Sequence, residues 1–223
     1  DLSKKDRVIE IGAGNGFLTK TLAEKSGKVL AFEIDEQFKE DLEKIKHKNL
    51  KIIFGDALKH NWKGYDKIVS NIPYFLSEQI LIKAIESEIN FMVLITGEKF
   101  KEALLSEKTK ISILANLFYE IIPVIKVEKT CFSPSPKVNS WMIKFTKKEK
   151  LTETEIFFRN FLLKKGKIKN AILYSLVEQG KTKNQAREII QKINLSKQVL
   201  EKPMDKITGK FILFLKEKLS THS

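Results

Sequence analysis

The chain has 223 residues, of which 42% are hydrophobic and 31% are charged, a composition typical of a globular protein with a sizeable buried core. No apolar run reaches the ~18 residues of a membrane-spanning helix, and residues 1–6 are polar where a signal peptide would be apolar, so we expect no membrane association. The formal net charge of +13 predicts an acidic partner, and one cysteine with three scattered histidines argues against a disulfide or a metal site.

Residues 7–146 alternate between strand-like and helix-like patterns. The predicted strands are residues 7–11, 28–33, 50–54, 67–70 and 91–96. Apolar residues at helical spacing follow Gly16, the plausible N-cap Asp35, and Ser77. Two further runs, 121–127 and 138–146, have no helix-length segment between them and are predicted to pair antiparallel at the sheet edge. This order predicts an α/β fold with a Rossmann-like, mostly parallel sheet in a domain of residues 1–146.

The pattern changes after a charged linker at residues 147–150. Only helix-like segments follow, at about 152–165, 167–179, 183–193 and 204–219. Residues 147–223 hold 18 Lys and Arg against 8 Asp and Glu, whereas residues 1–146 hold 23 against 20. Because basic side chains neutralise phosphates, this excess favours a small all-helical, nucleic-acid-binding domain at residues 151–223. The alternative interpretation is that these lysines lie on ordinary solvent-exposed helix faces, in a chain that is rich in lysine throughout.

A glycine-rich turn follows the first predicted strand. Gly12, Gly14 and Gly16 are spaced G-x-G-x-G, and Phe17 stands where a dinucleotide-binding loop has its third glycine. The acidic Glu10 just before the turn does not suit a pyrophosphate. The loop therefore disfavours a dinucleotide cofactor.

Two more acids follow the second and third predicted strands. Glu33 is placed to accept hydrogen bonds from both ribose hydroxyls, and Asp56 is placed to accept one from an adenine amino group. A ligand with a ribose, an adenine and a positive centre, but no phosphate, fits these two acids together with Glu10. The predicted cofactor is S-adenosylmethionine.

The segment Asn71-Ile72-Pro73-Tyr74 follows the fourth predicted strand, at the end where open α/β sheets bind ligands. The Asn71 side-chain oxygen and a main-chain carbonyl of Ile72 or Pro73 can accept the two N–H groups of an exocyclic amine. These hydrogen bonds would pull the nitrogen towards tetrahedral geometry and turn its lone pair to the sulfonium methyl. The segment predicts methyl transfer to an amine of a planar base.

With these motifs the sequence resembles the ribosomal-RNA adenine N6-dimethyltransferase family, whose fold is that of class I methyltransferases. The matching motifs are Glu10-Ile11-Gly12-Ala13-Gly14-Asn15-Gly16, Glu33-Ile34-Asp35, Gly55-Asp56-Ala57, Asn71-Ile72-Pro73-Tyr74 and Phe132-Ser133-Pro134-Ser135-Pro136-Lys137-Val138-Asn139-Ser140. The resemblance assigns cofactor binding to Glu10, Gly12, Gly14, Gly16, Glu33, Ile34, Asp56, Ala57 and Asn71. The predicted catalytic residues are Asn71, Pro73, Tyr74 and Phe132, and the resemblance implies that Tyr74 and Phe132 clamp the flipped adenine. Lys137 is predicted to contact RNA.

A basic segment at residues 161–172 bears on the target RNA. It resembles Phe-x-x-Arg-Arg-Lys-x-Leu-Arg-Asn-Ala-Leu of the branch that dimethylates two adjacent adenines in small-subunit rRNA. The resemblance assigns RNA binding to Lys164, Lys165, Lys167 and Lys169. The predicted function is therefore S-adenosylmethionine-dependent N6-dimethylation of adenine in small-subunit rRNA. The first alternative is the large-subunit branch, which confers macrolide resistance.

Several positions depart from the family pattern. Phe75 follows Tyr74 where Asn is frequent, Gly97-Glu98 stands where Gln-x-Glu is common, and the family's Gln-x-Phe-Leu segment before the first strand has no counterpart in the printed sequence. This last departure keeps open a second alternative, an assembly factor that binds RNA without turnover.

The expected partner is a pre-ribosomal small subunit, and we expect a monomer. A single cysteine, Cys131, suits the reducing cytoplasm, and we expect its side chain to be buried.

Overall fold

The computed structural model describes residues 2–132, 135 and 137–220, the last of them by its backbone alone. The strands of this part of the chain are β1 (Arg7–Ile11), β2 (Lys28–Glu33), β3 (Leu50–Phe54), β4 (Lys67–Asn71), β5 (Phe91–Gly97), β6 (Tyr119–Val127) and β7 (Ser140–Lys147). They form one sheet in the order β3-β2-β1-β4-β5-β7-β6.

The sheet is parallel from β3 to β5, and β7 runs antiparallel to β5 with Gly97 opposite Ser140. The two late strands are hydrogen-bonded neighbours, with β7 between β5 and the edge strand β6. The predicted Rossmann-like α/β fold, mostly parallel with an antiparallel addition, is confirmed. Because parallel strands end at one sheet edge, Ile11, Glu33, Phe54 and Asn71 lie along the same side.

Helices connect and follow these strands. They are α1 (Phe17–Lys25), α2 (Lys39–Glu43), α3 (Ser77–Glu86), α4 (Glu98–Leu105), α5 (Lys110–Phe118), α6 (Glu153–Leu163), α7 (Ile168–Glu178), α8 (Lys183–Ile193), α9 (Lys197–Leu200) and α10 (Gly209–Ser220). Thr109, Thr152 and Thr182 begin α5, α6 and α8 with reciprocal capping boxes, which satisfy N–H groups that the first helical turn leaves free.

The central strands are buried because helices cover them. All residues of β1 after Arg7 are buried, as are all residues of β2 after Lys28. Such strands are continuous in hydrophobic residues rather than alternating, as expected of a parallel sheet covered on both faces. The acids Glu10 and Glu33 are exceptions within these buried strands, and both lie at the carboxyl ends.

Two compact units are distinguished by their internal contacts. One joins the chain up to Glu102 with Glu120–Lys147, and the other joins Ala103–Tyr119 with the chain from Lys148 onward. The first contains the sheet, and the second is helical. This grouping differs from the predicted division at 1–146 and 151–223 because it places α5 with the C-terminal helices. The role of residues 151–223 as a separate RNA-binding domain stays a prediction.

One expectation about a side chain is wrong. Cys131 is exposed, at the end of a short 3-10 turn spanning Lys129–Cys131. In the part of the chain that the structure describes, no helix is both long and apolar enough to cross a membrane. The same described residues contain no cluster of His, Cys, Asp and Glu able to hold a metal ion.

Candidate active site

The glycine turn adopts backbone angles that favour glycine. Gly12, Gly14 and Gly16 have φ angles of +77°, +54° and +83°, a region that favours glycine. The backbone N–H groups of Gly12 and Ala13 both donate to the Phe32 carbonyl, at 2.8 and 3.0 Å, so the turn is tied to the end of β2. A Cβ atom on Gly14 would meet nothing within 4 Å, which leaves open space on this side of the loop.

The glycine turn lies directly beside the Asn-Ile-Pro-Tyr segment. A Cβ atom on Gly12 would come within 3.6 Å of Pro73 Cδ and 3.7 Å of the Asn71 carbonyl oxygen. These residues are about 60 positions apart in sequence, and the pairing of β1 with β4 brings them together. The structure thus joins the predicted cofactor loop to the predicted reaction centre.

Glu33 is held rigidly at the end of β2. One carboxylate oxygen accepts the Gly14 N–H at 2.7 Å, and the other accepts the N–H groups of Ile34 and Asp35 at 2.8 and 2.9 Å. A carboxylate oxygen has two lone pairs, so Oε1 is already fully used and Oε2 keeps one lone pair free. The side chain is therefore fixed in place and can still accept one hydrogen bond from a ligand through Oε2.

Glu10 is buried beneath the same turn. Burial raises the pKa of its carboxyl to about 7 from an ordinary 4.5, and the negative charge of Glu33 adds to this effect. Its Oε2 atom has no hydrogen-bond partner among the described residues. A buried carboxylate oxygen without a donor costs free energy that a positively charged ligand group could offset.

Asp56 begins a 3-10 turn after β3. Its Oδ1 atom accepts the Leu58 N–H at 2.9 Å, and Ala57 is buried beside it with its carbonyl accepting from Trp62 Nε1 at 3.0 Å. No hydrogen bond to Asp56 Oδ2 is found among the described residues. This oxygen is available to an adenine amino group.

Five of the nine predicted cofactor residues border one cleft at the carboxyl edge of the sheet, whereas Glu10, Gly14, Gly16 and Asn71 are not part of its lining. Its lining consists of Ile11, Gly12, Phe32, Glu33, Ile34, Gly55, Asp56, Ala57, Leu58, Pro73 and Leu76. The structure therefore brings together most predicted cofactor residues. Ile34 is 73% exposed, which is unusual for isoleucine and leaves its side chain free to cover a flat ring. Sequence reasoning missed Leu58 and Leu76, which have no motif of their own and enter the cleft through the turns that follow Asp56 and Tyr74.

The Asn71 segment offers the two acceptors that an amine needs. Asn71 is exposed at the last position of β4. The Pro73 carbonyl already accepts the Leu76 N–H at 2.9 Å, whereas no donor to the Ile72 carbonyl is found among the described residues. A carbonyl oxygen has two lone pairs, so of the two candidates that the sequence left open Pro73 keeps one lone pair free and Ile72, the less occupied, keeps both.

Tyr74 is fixed from two sides. Its hydroxyl shares a hydrogen bond with the buried Ser140 Oγ. Its ring lies against Gly97, where a Cβ atom would come within 3.0 Å of Tyr74 Cδ2. Sequence reasoning noted Gly97 only as a departure and Ser140 only as the end of a motif. Phe75, directly after Tyr74, is 83% exposed.

Two further predicted residues follow the Lys129–Cys131 turn. Phe132 is half-buried after the Lys129–Cys131 turn, and Lys137 is exposed. Ser133, Pro134 and Pro136 of the same motif lie outside the described residues. The clamping of a base by Phe132 and the RNA contact of Lys137 stay predictions.

The four lysines predicted for the helical unit differ in their surroundings. Lys164 pairs with Glu178, and Lys167 pairs with Glu201 at 2.6 Å. Lys165 and Lys169 are exposed, and no ion pair to either is found among the described residues. Since exposed ion pairs contribute only about 0–1 kcal/mol, an RNA phosphate can compete for the paired lysines at a modest cost.

Comparisons with known proteins identify relatives of this chain. A family model described as ribosomal RNA adenine dimethylase matches residues 1–213. A probable ribosomal RNA small subunit methyltransferase A of Methanococcus vannielii is 34% identical over 211 residues, which cover 87% of this chain and 79% of that protein. Its namesake in Methanosarcina barkeri is 35% identical over 187 residues, which cover 78% of this chain and 65% of that protein.

Solved structures also match over nearly the whole chain. A dimethyladenosine transferase from Plasmodium falciparum superposes with a TM-score of 0.63 at 25% identity, covering 96% of this chain and 89% of that one. The 23S rRNA methyltransferase ErmE superposes with a TM-score of 0.65 at 20% identity, covering 99% and 93%. The second likeness shows the shared fold alone.

Proposed function

Because the chain belongs to the ribosomal RNA adenine dimethylase family, we propose that it transfers two methyl groups from S-adenosylmethionine to N6 of adenine in small-subunit ribosomal RNA. The observation that carries the proposal is the approach of Gly12 to Asn71 and Pro73, which sets a nucleoside cleft beside a pair of amine acceptors. The small-subunit target rests on the names of the archaeal relatives. We propose that the enzyme acts on a pre-ribosomal particle in the cytoplasm, as a monomer.

The residues present fit S-adenosylmethionine. Glu33 Oε2 offers a fixed acceptor for a ribose hydroxyl, Asp56 Oδ2 is free for the adenine amino group, and Ile34 provides an apolar wall. Glu10, with an unpartnered oxygen and a pKa of about 7, would ionise more fully once a positive ligand group lies near it. When bound, the cofactor supplies an electrophilic methyl group.

The protein's contribution to the reaction is positioning. Asn71 Oδ1 and the Ile72 carbonyl accept the two N–H groups of the adenine amine, so its lone pair is drawn out of conjugation with the ring. Acceptors that are already in place cost no reorganisation during the reaction, which is the main source of electrostatic catalysis. A methylated amine nitrogen is acidic and loses its proton to water, so the site needs no strong general base.

A second transfer requires one remaining N–H. After the first methylation, the amine keeps a single N–H, which either acceptor can hold while the methyl group occupies the other direction. The target adenine must leave its base stack to reach the cleft, and stacking on a fixed aromatic ring repays part of that cost. The anchored ring of Tyr74 suits this role, and we propose Phe132 as the opposite wall.

The proposal is tested with labelled S-adenosylmethionine and three separate substrates: immature small subunits, protein-free small-subunit rRNA and large-subunit rRNA. We expect N6,N6-dimethyladenosine from one or both of the small-subunit substrates and none from large-subunit RNA. Product found only in large-subunit RNA would contradict the target. Tight binding to immature subunits without product from any substrate would show an assembly factor instead of an enzyme.

A further inference from the structure

The opposite edge of the sheet carries a groove in which six of the nine lining residues are cations. It has a volume of about 620 Å³ and lies where β1, β2 and β3 begin, whereas the cofactor cleft lies where they end. Its lining consists of Lys4, Lys5, Arg7, Gly27, Lys28, Lys48, Asn49, Leu50 and Lys51. A smaller concavity continues it past Ala23, Glu24, Ser26 and His47. We call the first of these the basic groove.

The backbone of the basic groove is built rigidly. Asn49 Nδ2 donates to the carbonyls of Ala23 and Ser26, at 2.9 Å each. The Gly27 N–H donates to the Asp6 carbonyl at 3.0 Å, and a Cβ atom on Gly27 would lie only 2.0 Å from the Lys4 carbonyl oxygen. The segment before β1 is thereby fixed against the turn before β2. The lysines project from a fixed concave surface and not from a loose end.

The charge in the basic groove is uncompensated within the described chain. No ion pair to Lys5, Lys48 or Lys51 is found among the described residues, and all three side chains are exposed. The nearest buried acid, Asp6, is already paired with Lys67 at 2.9 Å. Among the described residues, no acid lines the basic groove itself, and Glu24 lines its continuation. Such a surface favours a polyanion.

The residues that line the basic groove favour RNA over an acidic protein as its partner. Lysine is depleted in protein–protein interfaces, whose energy comes from buried aromatic and apolar anchors, and Leu50 is the apolar residue of the groove lining. Interfaces with nucleic acid are strongly positive, because each phosphate neutralised releases counterions. We propose that the basic groove binds the phosphate backbone of the substrate RNA at a second position, away from the adenine in the cleft.

This inference takes its RNA from the proposed function and adds a distinct contact. A folded rRNA in a subunit is far larger than the cleft, so contacts at both edges of the sheet would fix the orientation of the catalytic unit on it. Phosphate contacts position a protein without reading sequence. The basic groove therefore contributes affinity and orientation and leaves the chemistry at the cleft unchanged.

The test compares two variants of equal charge. The groove variant carries Lys5→Gln, Lys48→Gln and Lys51→Gln. The control variant removes three exposed lysines of the same unit that do not line the groove, by Lys20→Gln, Lys46→Gln and Lys59→Gln. Binding to immature small subunits and to protein-free small-subunit rRNA is measured against salt concentration. Methylation of a short RNA hairpin with the target adenines is measured alongside.

We expect the groove variant to bind both substrates about 10–100-fold more weakly at low salt, with a log–log salt slope shallower by about two to three. The control variant should lose much less affinity. The unaltered protein and both variants should methylate the hairpin at the same rate. Equal losses in both variants would overturn the inference. If the groove variant bound whole subunits more weakly but protein-free rRNA as well as the unaltered protein does, the groove would bind an acidic protein. This result would also overturn the inference.

The two proposals fail in different ways. If the proposed function is wrong, the unaltered protein makes no dimethyladenosine from either small-subunit substrate. If only the groove is wrong, the unaltered protein methylates and binds, and the two variants are indistinguishable from each other.

Discussion

The Asn71 side chain supplies one of the two acceptors for the target amine. Asn71→Ala should lower kcat roughly 10²–10³-fold, the usual cost of removing one preorganised hydrogen bond to a reacting group. Cofactor affinity should stay nearly unchanged, because the ribose and adenine acceptors belong to Glu33 and Asp56. The measurement is single-turnover methylation combined with calorimetric binding of the cofactor.

A matched control for Asn71→Ala is Asn90→Ala. Asn90 is also an exposed asparagine, and it precedes β5 at the opposite edge of the sheet. This change should leave kcat within about twofold of the unaltered enzyme. A large loss of cofactor affinity in Asn71→Ala would contradict the role assigned to the side chain.

Glu10 makes the cofactor-free protein sensitive to pH. The pKa of its carboxyl is about 7 in the folded protein and ordinarily 4.5, so the folded state binds the additional proton between these values. The free energy of unfolding should therefore fall as pH rises from about 4.5 to 7, by about 3 kcal/mol, and level off above it.

The comparison for this prediction is Glu10→Gln, which cannot ionise. Chemical denaturation at several pH values between 5 and 8 should show that the difference in stability between the two proteins shifts in favour of the variant as pH rises. A difference that stays constant across this range would show that Glu10 does not titrate there.

At the scale of single residues, the sequence indicated which acids belong to the site but not their burial or protonation. Glu10 was recognised by its position before the glycine turn, yet its burial depends on helices that cover β1. In the same way, the choice of Ile72 over Pro73 depends on the Leu76 N–H, which reaches Pro73 only after a 3-10 turn has formed. Neither fact is contained in a motif.

At the scale of elements, β4 and β7 together fix the reaction centre. Tyr74 follows β4, Ser140 begins β7, and their hydroxyl groups share one hydrogen bond. Tyr74→Phe and Ser140→Ala should each lower kcat about fivefold, corresponding to about 1 kcal/mol. Because both changes remove the same hydrogen bond, the double variant should be little worse than either single one.

The measurement for the Tyr74–Ser140 pair is a double-mutant cycle on kcat and on cofactor affinity. Cofactor affinity should not change in any of the three variants, since neither hydroxyl group lines the cofactor cleft. Strictly additive losses in kcat would mean that the two hydroxyl groups act independently.

Element boundaries were predictable where a capping residue or glycine marks them. The structure reproduces the predicted bounds of β1, β2 and β3 without change. The region after Asp35 was less regular than its apolar spacing suggested, because Asp35 caps a 3-10 turn through the Gln37 N–H before the five-residue α2 begins. Short helices such as α2 and α9 gain little from propensity and depend on tertiary packing, which periodicity does not record.

At the scale of the whole molecule, the helical unit includes a helix from the middle of the chain. Arg159 on α6 donates to the carbonyls of Leu117 and Phe118 at the end of α5, at 2.7 and 3.2 Å. Lys110 at the start of α5 donates to the Met204 carbonyl at 3.2 Å. The local pattern of α5 resembles that of the other helices between strands, so its partners could not be read from it.

This grouping determines how the RNA-binding role of the helical unit should be tested. Deleting residues from 151 onward would uncover the buried face of α5, so lost RNA binding in such a protein could reflect misfolding. Substitution of exposed lysines avoids that difficulty. The four lysines of residues 164–169 also supply a matched pair of double variants, because two are ion-paired and two are not.

Lys165→Gln with Lys169→Gln should weaken RNA binding more than Lys164→Gln with Lys167→Gln, although each variant removes two charges. The reason is that Lys164 and Lys167 must first leave Glu178 and Glu201 to reach a phosphate. The cost of breaking these ion pairs reduces what the two lysines contribute to RNA binding. We expect a salt slope shallower by about two for the first variant and by less for the second. Titration of small-subunit rRNA at several salt concentrations measures both slopes. Equal slopes would mean that the ion pairs do not restrain these lysines, and unchanged slopes in both would make the basic charge of this segment incidental to RNA binding.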